Sequence, residues 1–272
     1  MHVREIVCKS FLTHCRIPGV DYALNPYVGC QHGCIYCYAV FMKRFTGHTE
    51  PWGQFVDVRV NAAEVLARQM PRAKPGSLTV GTVTDAYQPL EKKYELTRRC
   101  LQVLVPYAGF PTTVLTKGAL VLRDLDVLRD MPDVEVAFTV TTLDESVRQA
   151  FEPVASPVQQ RLDALAQLHE AGIRTWAFFG PVLPGFSDSE AAVDAVFAAL
   201  AQVGVSYVLV DTLNAKGGGW WKQLCTGLAA TYPDAEDQFR LVLHDRAGYS
   251  RLLAQRVERA AARHGLGLRL GF

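Results

Sequence analysis

The chain of 272 residues lacks a charge excess of either sign: 28 Lys and Arg stand against 27 Asp and Glu, a formal net charge of +1. Without a basic surplus, nucleic acid would need a local patch, which leaves it a possible but not a favoured partner. No apolar run approaches the roughly 20 residues of a membrane span, and Met1 to Arg16 mixes charged and apolar residues without a signal-peptide core. These absences argue against a membrane partner and predict a cytoplasmic protein. Low-complexity linkers are also missing, so nothing marks a sharp domain boundary. With 49% hydrophobic and 20% charged residues the chain can bury a full core, which argues against disorder.

What is present is alternation. Apolar, β-rich runs at Leu78 to Val83, Thr112 to Leu115, Val134 to Thr141, Ile173 to Phe179 and Val205 to Val210 read as buried parallel strands. Helical faces lie between them: Leu90, Tyr94, Leu101 and Leu104; Val121, Leu125 and Leu128; Val158, Leu162 and Leu165; Val193, Phe197 and Leu200. Asn61 with Glu64, and Ser187 with Glu190, have capping-box spacing and predict two helix starts. A short strand near Tyr27 and the helix from Asn61 complete six βα units, so the expected fold is α/β, a partial (β/α)6 barrel. The barrel is expected over 1–215, with segment 1–21 packed on it. Residues 216–272, which hold the glycines Gly217 to Gly219 and a helical pattern from Tyr249 to Ala260, read as a small C-terminal helical cap of the same domain.

Seven cysteines are an odd disulfide framework for a chain this long without export signals, so metal binding is favoured. Cys30-Gln-His-Gly-Cys34-Ile-Tyr-Cys37 places three thiols on one loop after a strand. Three thiolates suit a 4Fe-4S cluster whose fourth iron awaits a non-protein ligand; the competing readings are three buried thiols or zinc completed by His32. Zinc motifs usually pair two C-x2-C halves, and this chain has only one. The gap between Cys8 and Cys15 matches no common site, and both read as structural.

In a parallel α/β barrel, ligands gather at the carboxyl ends of the strands. Polar residues follow several predicted strands: Thr82, Thr84 and Asp85; Thr116 and Lys117; Thr139, Thr141 and Thr142; Asp211 and Asn214. For the threonines the alternative is ordinary β-propensity, and for Lys117 a solvated turn. Asp85, Asp211, Asn214, Trp220 and Trp221 are substrate-side candidates; the tryptophans could stack a flat substrate, cap the barrel or meet a second subunit.

Cys-x3-Cys-x-aromatic-Cys, with Tyr36 as the aromatic, resembles the signature of the radical S-adenosylmethionine (SAM) superfamily. Asn25-Pro-Tyr-Val-Gly-Cys-Gln-His-Gly-Cys-Ile-Tyr-Cys-Tyr-Ala39, Gly81-Thr-Val-Thr-Asp-Ala-Tyr-Gln-Pro-Leu-Glu91, Thr116-Lys-Gly118 and Phe179-Gly-Pro-Val-Leu-Pro-Gly185 resemble the proteins related to spore photoproduct lyase. The resemblance implies a 4Fe-4S cluster on Cys30, Cys34 and Cys37, and SAM chelated at the open iron. One electron, from a flavodoxin or ferredoxin type of partner, then cleaves SAM to a 5′-deoxyadenosyl radical that abstracts hydrogen from an unidentified substrate. It further implies SAM contacts at Thr82 and Thr84 for the amino group, Lys117 for the carboxylate, Thr139 or Thr141 for ribose and Tyr36 for adenine; Gly180, Pro181 and Gly185 either shape a tight turn after the fifth predicted strand or, lacking bulk, let the chain approach adenine closely.

A photoproduct lyase of this family returns hydrogen from a cysteine near the second strand, whereas Leu78 to Tyr87 contains none. Cys225 and Tyr87 are the alternative donor candidates. Lesion repair in DNA is therefore the second reading, and a non-catalytic zinc or iron-sulfur nucleic-acid-binding module the third.

Overall fold

The computed structural model describes residues 1–215 and 219–272, so Gly217 and Gly218 of the glycine run lie outside the described residues. The strands are β1 (His2–Ile6), β2 (Thr13–His14), β3 (Tyr22–Leu24), β4 (Tyr27–Val28), β5 (Phe55–Arg59), β6 (Leu78–Val80), β7 (Thr112–Thr116), β8 (Val134–Thr139), β9 (Arg174–Phe179), β10 (Tyr207–Val210) and β11 (Gly267–Leu270). The α-helices are α1 (Ala62–Gln69), α2 (Glu91–Tyr94), α3 (Leu96–Leu104), α4 (Leu125–Asp130), α5 (Glu145–Phe151), α6 (Val158–Glu170), α7 (Glu190–Gln202), α8 (Trp220–Thr231), α9 (Glu236–His244) and α10 (Arg246–His264).

The main sheet has the order β11-β10-β9-β8-β7-β6-β3-β2 and is parallel throughout except for β2, which runs against β3. It curves as a partial barrel and does not close. Val80, Val114, Val136, Phe138, Phe179, Val208 and Val210 from its strands are buried with the apolar faces of α6, α7 and α10. Each such side chain contributes roughly 1.5–3 kcal/mol on burial. Because the strands are parallel, their carboxyl ends share one edge, and the loops from β3, β6, β7, β8, β9 and β10 meet there. Among the described residues no helix is long and apolar enough to cross a membrane.

Several local expectations shift. The first strand of the main sheet is β3, while Tyr27 lies in β4, which pairs with β5 in a separate sheet of order β1-β5-β4. The reason is Asn25: its side chain accepts from Thr82 N at 2.9 Å and Val83 N at 3.1 Å, so the chain leaves β6 at this point and starts a new ladder. Asn61 does not cap α1 with its side chain; its amide instead bonds Cys8 at both the backbone nitrogen (2.8 Å) and the carbonyl (3.0 Å). Ser189, two residues beyond the expected position, caps α7 through Ala192 N, and Ser187 accepts from Leu183 N. The helical face Leu90 to Leu104 is split at Glu95 (φ 50°), because the buried Glu91 carboxylate turns back to accept from Thr97 N and Arg98 N at the start of α3. At the C-terminus, β11 joins the edge of the main sheet; its short, largely exposed Gly-Leu-Arg-Leu run carries too little apolar signal to announce a strand.

Candidate active site

The three motif cysteines lie between β4 and a short 3-10 helix at Tyr38–Phe45. The loop turns at Gly29 (φ 91°), where an added Cβ would fall 2.4 Å from the Phe55 carbonyl oxygen, so only glycine fits against β5. It crosses the following segment where Gly33 meets Gly53; a Cβ on Gly53 would lie 2.8 Å from the Gly33 Cα. Backbone bonds from Gly33 N to Cys30 O (3.3 Å) and from Cys37 N to Cys34 O (3.1 Å) coil the loop on itself.

Four groups fix the loop from outside. Asp85 is the first: its carboxylate accepts from Thr116 Oγ1 (2.6 Å), Lys117 N (2.7 Å) and Tyr87 N (2.8 Å), and sits 3.3 Å from His32 Nδ1. Burial pushes this carboxyl up, but His32 and the donated bonds more than reverse that, and it is held well below the usual carboxylate range. Asp85, expected on the substrate side, thereby ties β6 and β7 to the cysteine loop. His32 is engaged with Asp85, not with the thiols. Gln88 is second, accepting from Gln31 N at 2.8 Å. Helix α8 is third: Trp220 donates to Tyr36 O (2.8 Å), Gln223 donates to Cys34 O (2.9 Å), and Gly227 lets the helix close on Ile35, where a Cβ would meet a side-chain carbon at 2.5 Å. Trp220 is 3% exposed, so it is an anchor of the loop and not a stacking platform. Trp220→Phe keeps the bulk but orphans the Tyr36 carbonyl; we expect a loss of about 1–2 kcal/mol in urea unfolding and faster loss of bound iron.

The fourth is a buried charge relay. Tyr36 donates its hydroxyl to Glu152, which also accepts from Thr141 Oγ1 at 3.1 Å and pairs with Arg161 at 2.5 Å. Arg161 in turn donates to the Thr139 carbonyl (2.9 Å) and the Ser156 carbonyl (2.8 Å). Sequence reasoning missed Glu152 and Arg161. One signal was available: Arg161 falls on the same helical face as Val158, Leu162 and Leu165, where a charged residue needs a partner.

The thiols are free, and their environment is built for anions that need a counter-charge. Burial pushes Cys34 up to about 12, with the Lys117 ammonium pulling the other way; burial likewise raises Cys30 and Cys37. Thiolates are the metal-binding form, so a bound cation must supply what burial withholds. Lys117 stays charged although burial opposes it, because Cys34, Glu152 and Asp85 surround it. Its Nζ lies 5.8 Å from the Tyr36 ring centroid. Trp52 offers a second donor: its buried indole N–H has no hydrogen-bond partner and faces the Cys37 thiol. Among the described residues, the three sulfurs and His32 contain no group of three ligand atoms within 4.8 Å of one another. Three thiolates on one loop suit a cubane, in which each takes a different iron.

The other expected residues divide. Lys117 and the Gly180-Pro181 segment after β9 stand at the shared strand edge, where a Cβ on Gly180 would strike the Phe178 ring at 2.4 Å. Half-buried Asn214 follows β10. The hydroxyls of Thr82, Thr84 and Thr141 bond within the protein, to Asn25, Gly29 O and Glu152. Thr139 is 2% exposed with its carbonyl taken by Arg161, and both the hydroxyl and the carbonyl of Tyr36 are committed. Polar groups at these strand ends thus close the neighbouring loops. Asp211 bridges β9 and β10 through its backbone, accepts from Thr212 N at 2.8 Å and lies against Gly271. Trp221 carries Arg240 over its ring at 5.2 Å. Neither hydrogen-donor candidate reaches the loop: the Tyr87 hydroxyl donates to buried Asp124 (3.0 Å), and Cys225 lies beside Glu236 of α9, on the far side of α8 from Trp220, Gln223 and Gly227.

Comparison with known proteins decides the family. The model of the Radical SAM superfamily matches residues 24–198. The chain belongs to the radical SAM superfamily. This radical SAM protein is 34% identical over 190 residues to an uncharacterized protein of Methanocaldococcus jannaschii, covering 70% of this chain and 71% of the relative. A radical SAM Nalpha-GlyT isomerase of Pseudomonas phage M6 is 26% identical over 240 residues, 86% of this chain and 48% of the phage protein. A spore photoproduct lyase structure with bound AdoMet and dinucleoside spore photoproduct superimposes with a TM-score of 0.76 at 16% identity, covering 99% of this chain and 82% of that one. The radical SAM fold is therefore shared closely, and the chain is an enzyme of that superfamily.

Proposed function

We propose that this enzyme holds a 4Fe-4S cluster on Cys30, Cys34 and Cys37 and, with an electron from a flavodoxin or ferredoxin type of protein, cleaves SAM reductively to abstract hydrogen from a substrate. The observation that carries this is the trio of free, largely buried thiols on one loop with the Lys117 ammonium beside Cys34. When bound, the cluster supplies the electron and the open iron that SAM requires. The chain's own residues do the rest. Asp85, Trp220 and Gln223 fix the loop; Lys117 offers a cation to a ligand carboxylate; the Trp52 N–H faces Cys37; and the parallel strand ends form the mouth a substrate enters.

Lesion repair of the lyase type is less well supported, because Leu78 to Tyr87 has no cysteine and the side chains of Cys225 and Tyr87 turn elsewhere. The zinc-module reading is weakened by the presence of only one C-x2-C half in the chain. The test is anaerobic reconstitution with iron and sulfide, then dithionite and SAM. The expected result is about four irons per chain and formation of 5′-deoxyadenosine and methionine. A reconstituted, folded protein that never cleaves SAM would overturn the proposal.

A further inference from the structure

A second cluster of metal-ligating side chains lies on the small sheet, apart from the cysteines. His2 opens β1, and His48 and Glu50 lie on the connection that leads into β5. Their ligand atoms all fall within 4.8 Å of one another, and they form the only such group of three among the described residues. His2 Nδ1 is 2.6 Å from Glu50 Oε1, and His48 Nδ1 is 3.2 Å from Glu50 Oε2.

The surroundings of His48 make this more than a hydrogen-bonded corner. His48 is buried, stacked on Phe55 with ring centroids 4.2 Å apart, and its Nε2 lies 2.9 Å from Asp57 Oδ1. Asp57 already has a full counter-charge, the Arg4 guanidinium, which donates to both carboxylate oxygens at 2.8 and 2.7 Å. The Asp57 carboxylate therefore fixes the ring at Nε2, which leaves Nδ1 directed at Glu50, 3.2 Å from its Oε2, an oxygen that also accepts from Thr49 N at 3.1 Å. Glu50 has no Lys or Arg within ion-pair distance among the described residues. A histidine whose second nitrogen is fixed by a carboxylate, aimed beside a glutamate and another histidine, is the arrangement that holds a divalent transition metal.

We propose that His2, His48 and Glu50 bind one zinc-class divalent cation, with Asp57 orienting His48 and solvent filling the remaining position at exposed His2. The donors are two imidazole nitrogens and one carboxylate oxygen, a set that suits zinc, nickel or copper over magnesium or calcium. The ion would clamp the N-terminal strand to the segment that follows the cysteine loop. This inference stands apart from the cluster chemistry, since no cysteine contributes to it.

The test uses cluster-loaded enzyme, so that the motif thiols are already occupied, titrated anaerobically with zinc chloride and followed by calorimetry and by elemental analysis after dialysis. One zinc per chain is expected, with iron content unchanged and a higher melting temperature. His2→Gln and Glu50→Gln should each weaken binding by more than about 100-fold, and Asp57→Asn by about 10–100-fold. His2 is exposed, so its variant cannot fail through misfolding. Zinc that does not bind the wild type above background, or binds both variants equally well, would overturn the proposal; in that case the three side chains form only a hydrogen-bonded corner.

Discussion

Cys34→Ala is expected to lower 5′-deoxyadenosine formation by more than about 100-fold, beyond the range that changes outside the ligand shell usually reach. The thiol is 6% exposed, its carbonyl is held by Gln223, and burial raises the thiol while the nearby Lys117 ammonium pulls the other way. Alanine leaves that backbone bond in place, so the loop should keep its shape while losing one of three irons' ligands. Cys225→Ala supplies the contrast. Its side chain faces Glu236 of α9 and not the cysteine loop, and its SAM cleavage should equal that of the wild type. Iron and sulfide analysis alongside product assay separates the outcomes: low iron in Cys34→Ala supports the ligand assignment, and equal losses in both variants would refute it.

Arg161→Met is expected to destabilise the protein by about 3–5 kcal/mol in urea unfolding, because it leaves the Glu152 carboxylate charged and unpaired in the interior. Both side chains are inaccessible, at 1% and 0% exposure. Burial pushes the Glu152 carboxyl up, and Arg161 and Lys117 together bring it below its ordinary value. Without Arg161 that balance reverses and the group takes up a proton at higher pH. The sign follows: a carboxyl lowered in the folded state contributes stability above its unfolded pKa, lost as pH falls. Arg161→Met should therefore lie furthest below the wild type near neutral pH, and the gap should narrow on acidification. Removing both charges in Glu152→Gln/Arg161→Met is expected to cost less than the single arginine change, which a double-mutant cycle would measure. Equal stability of Arg161→Met and wild type at pH 7 would refute the assigned ion pair. Because Glu152 also receives the Tyr36 hydroxyl, SAM cleavage should fall with stability even though Arg161 touches no thiol.

The sequence by itself determined the superfamily, the parallel α/β plan and the three thiols. Those rest on local information: strand runs such as Val134 to Thr139 are apolar enough to be buried on their own account, and the cysteine spacing is a property of one loop. Tertiary structure decided what each polar residue does. Asp85, Thr84, Thr141 and Trp220 carry donors and acceptors that could serve a ligand, yet each is committed to a partner 11 to 184 positions away that packing brings beside it. Buried polar groups must be paired, and which pairs form depends on how loops from separate strands meet. The same holds for Glu152 with Arg161, and for His2 with His48 and Glu50, whose grouping exists only after β1 has paired with β5. Sequence spacing names the chemistry available, and long-range packing decides which of those groups remain free to perform it.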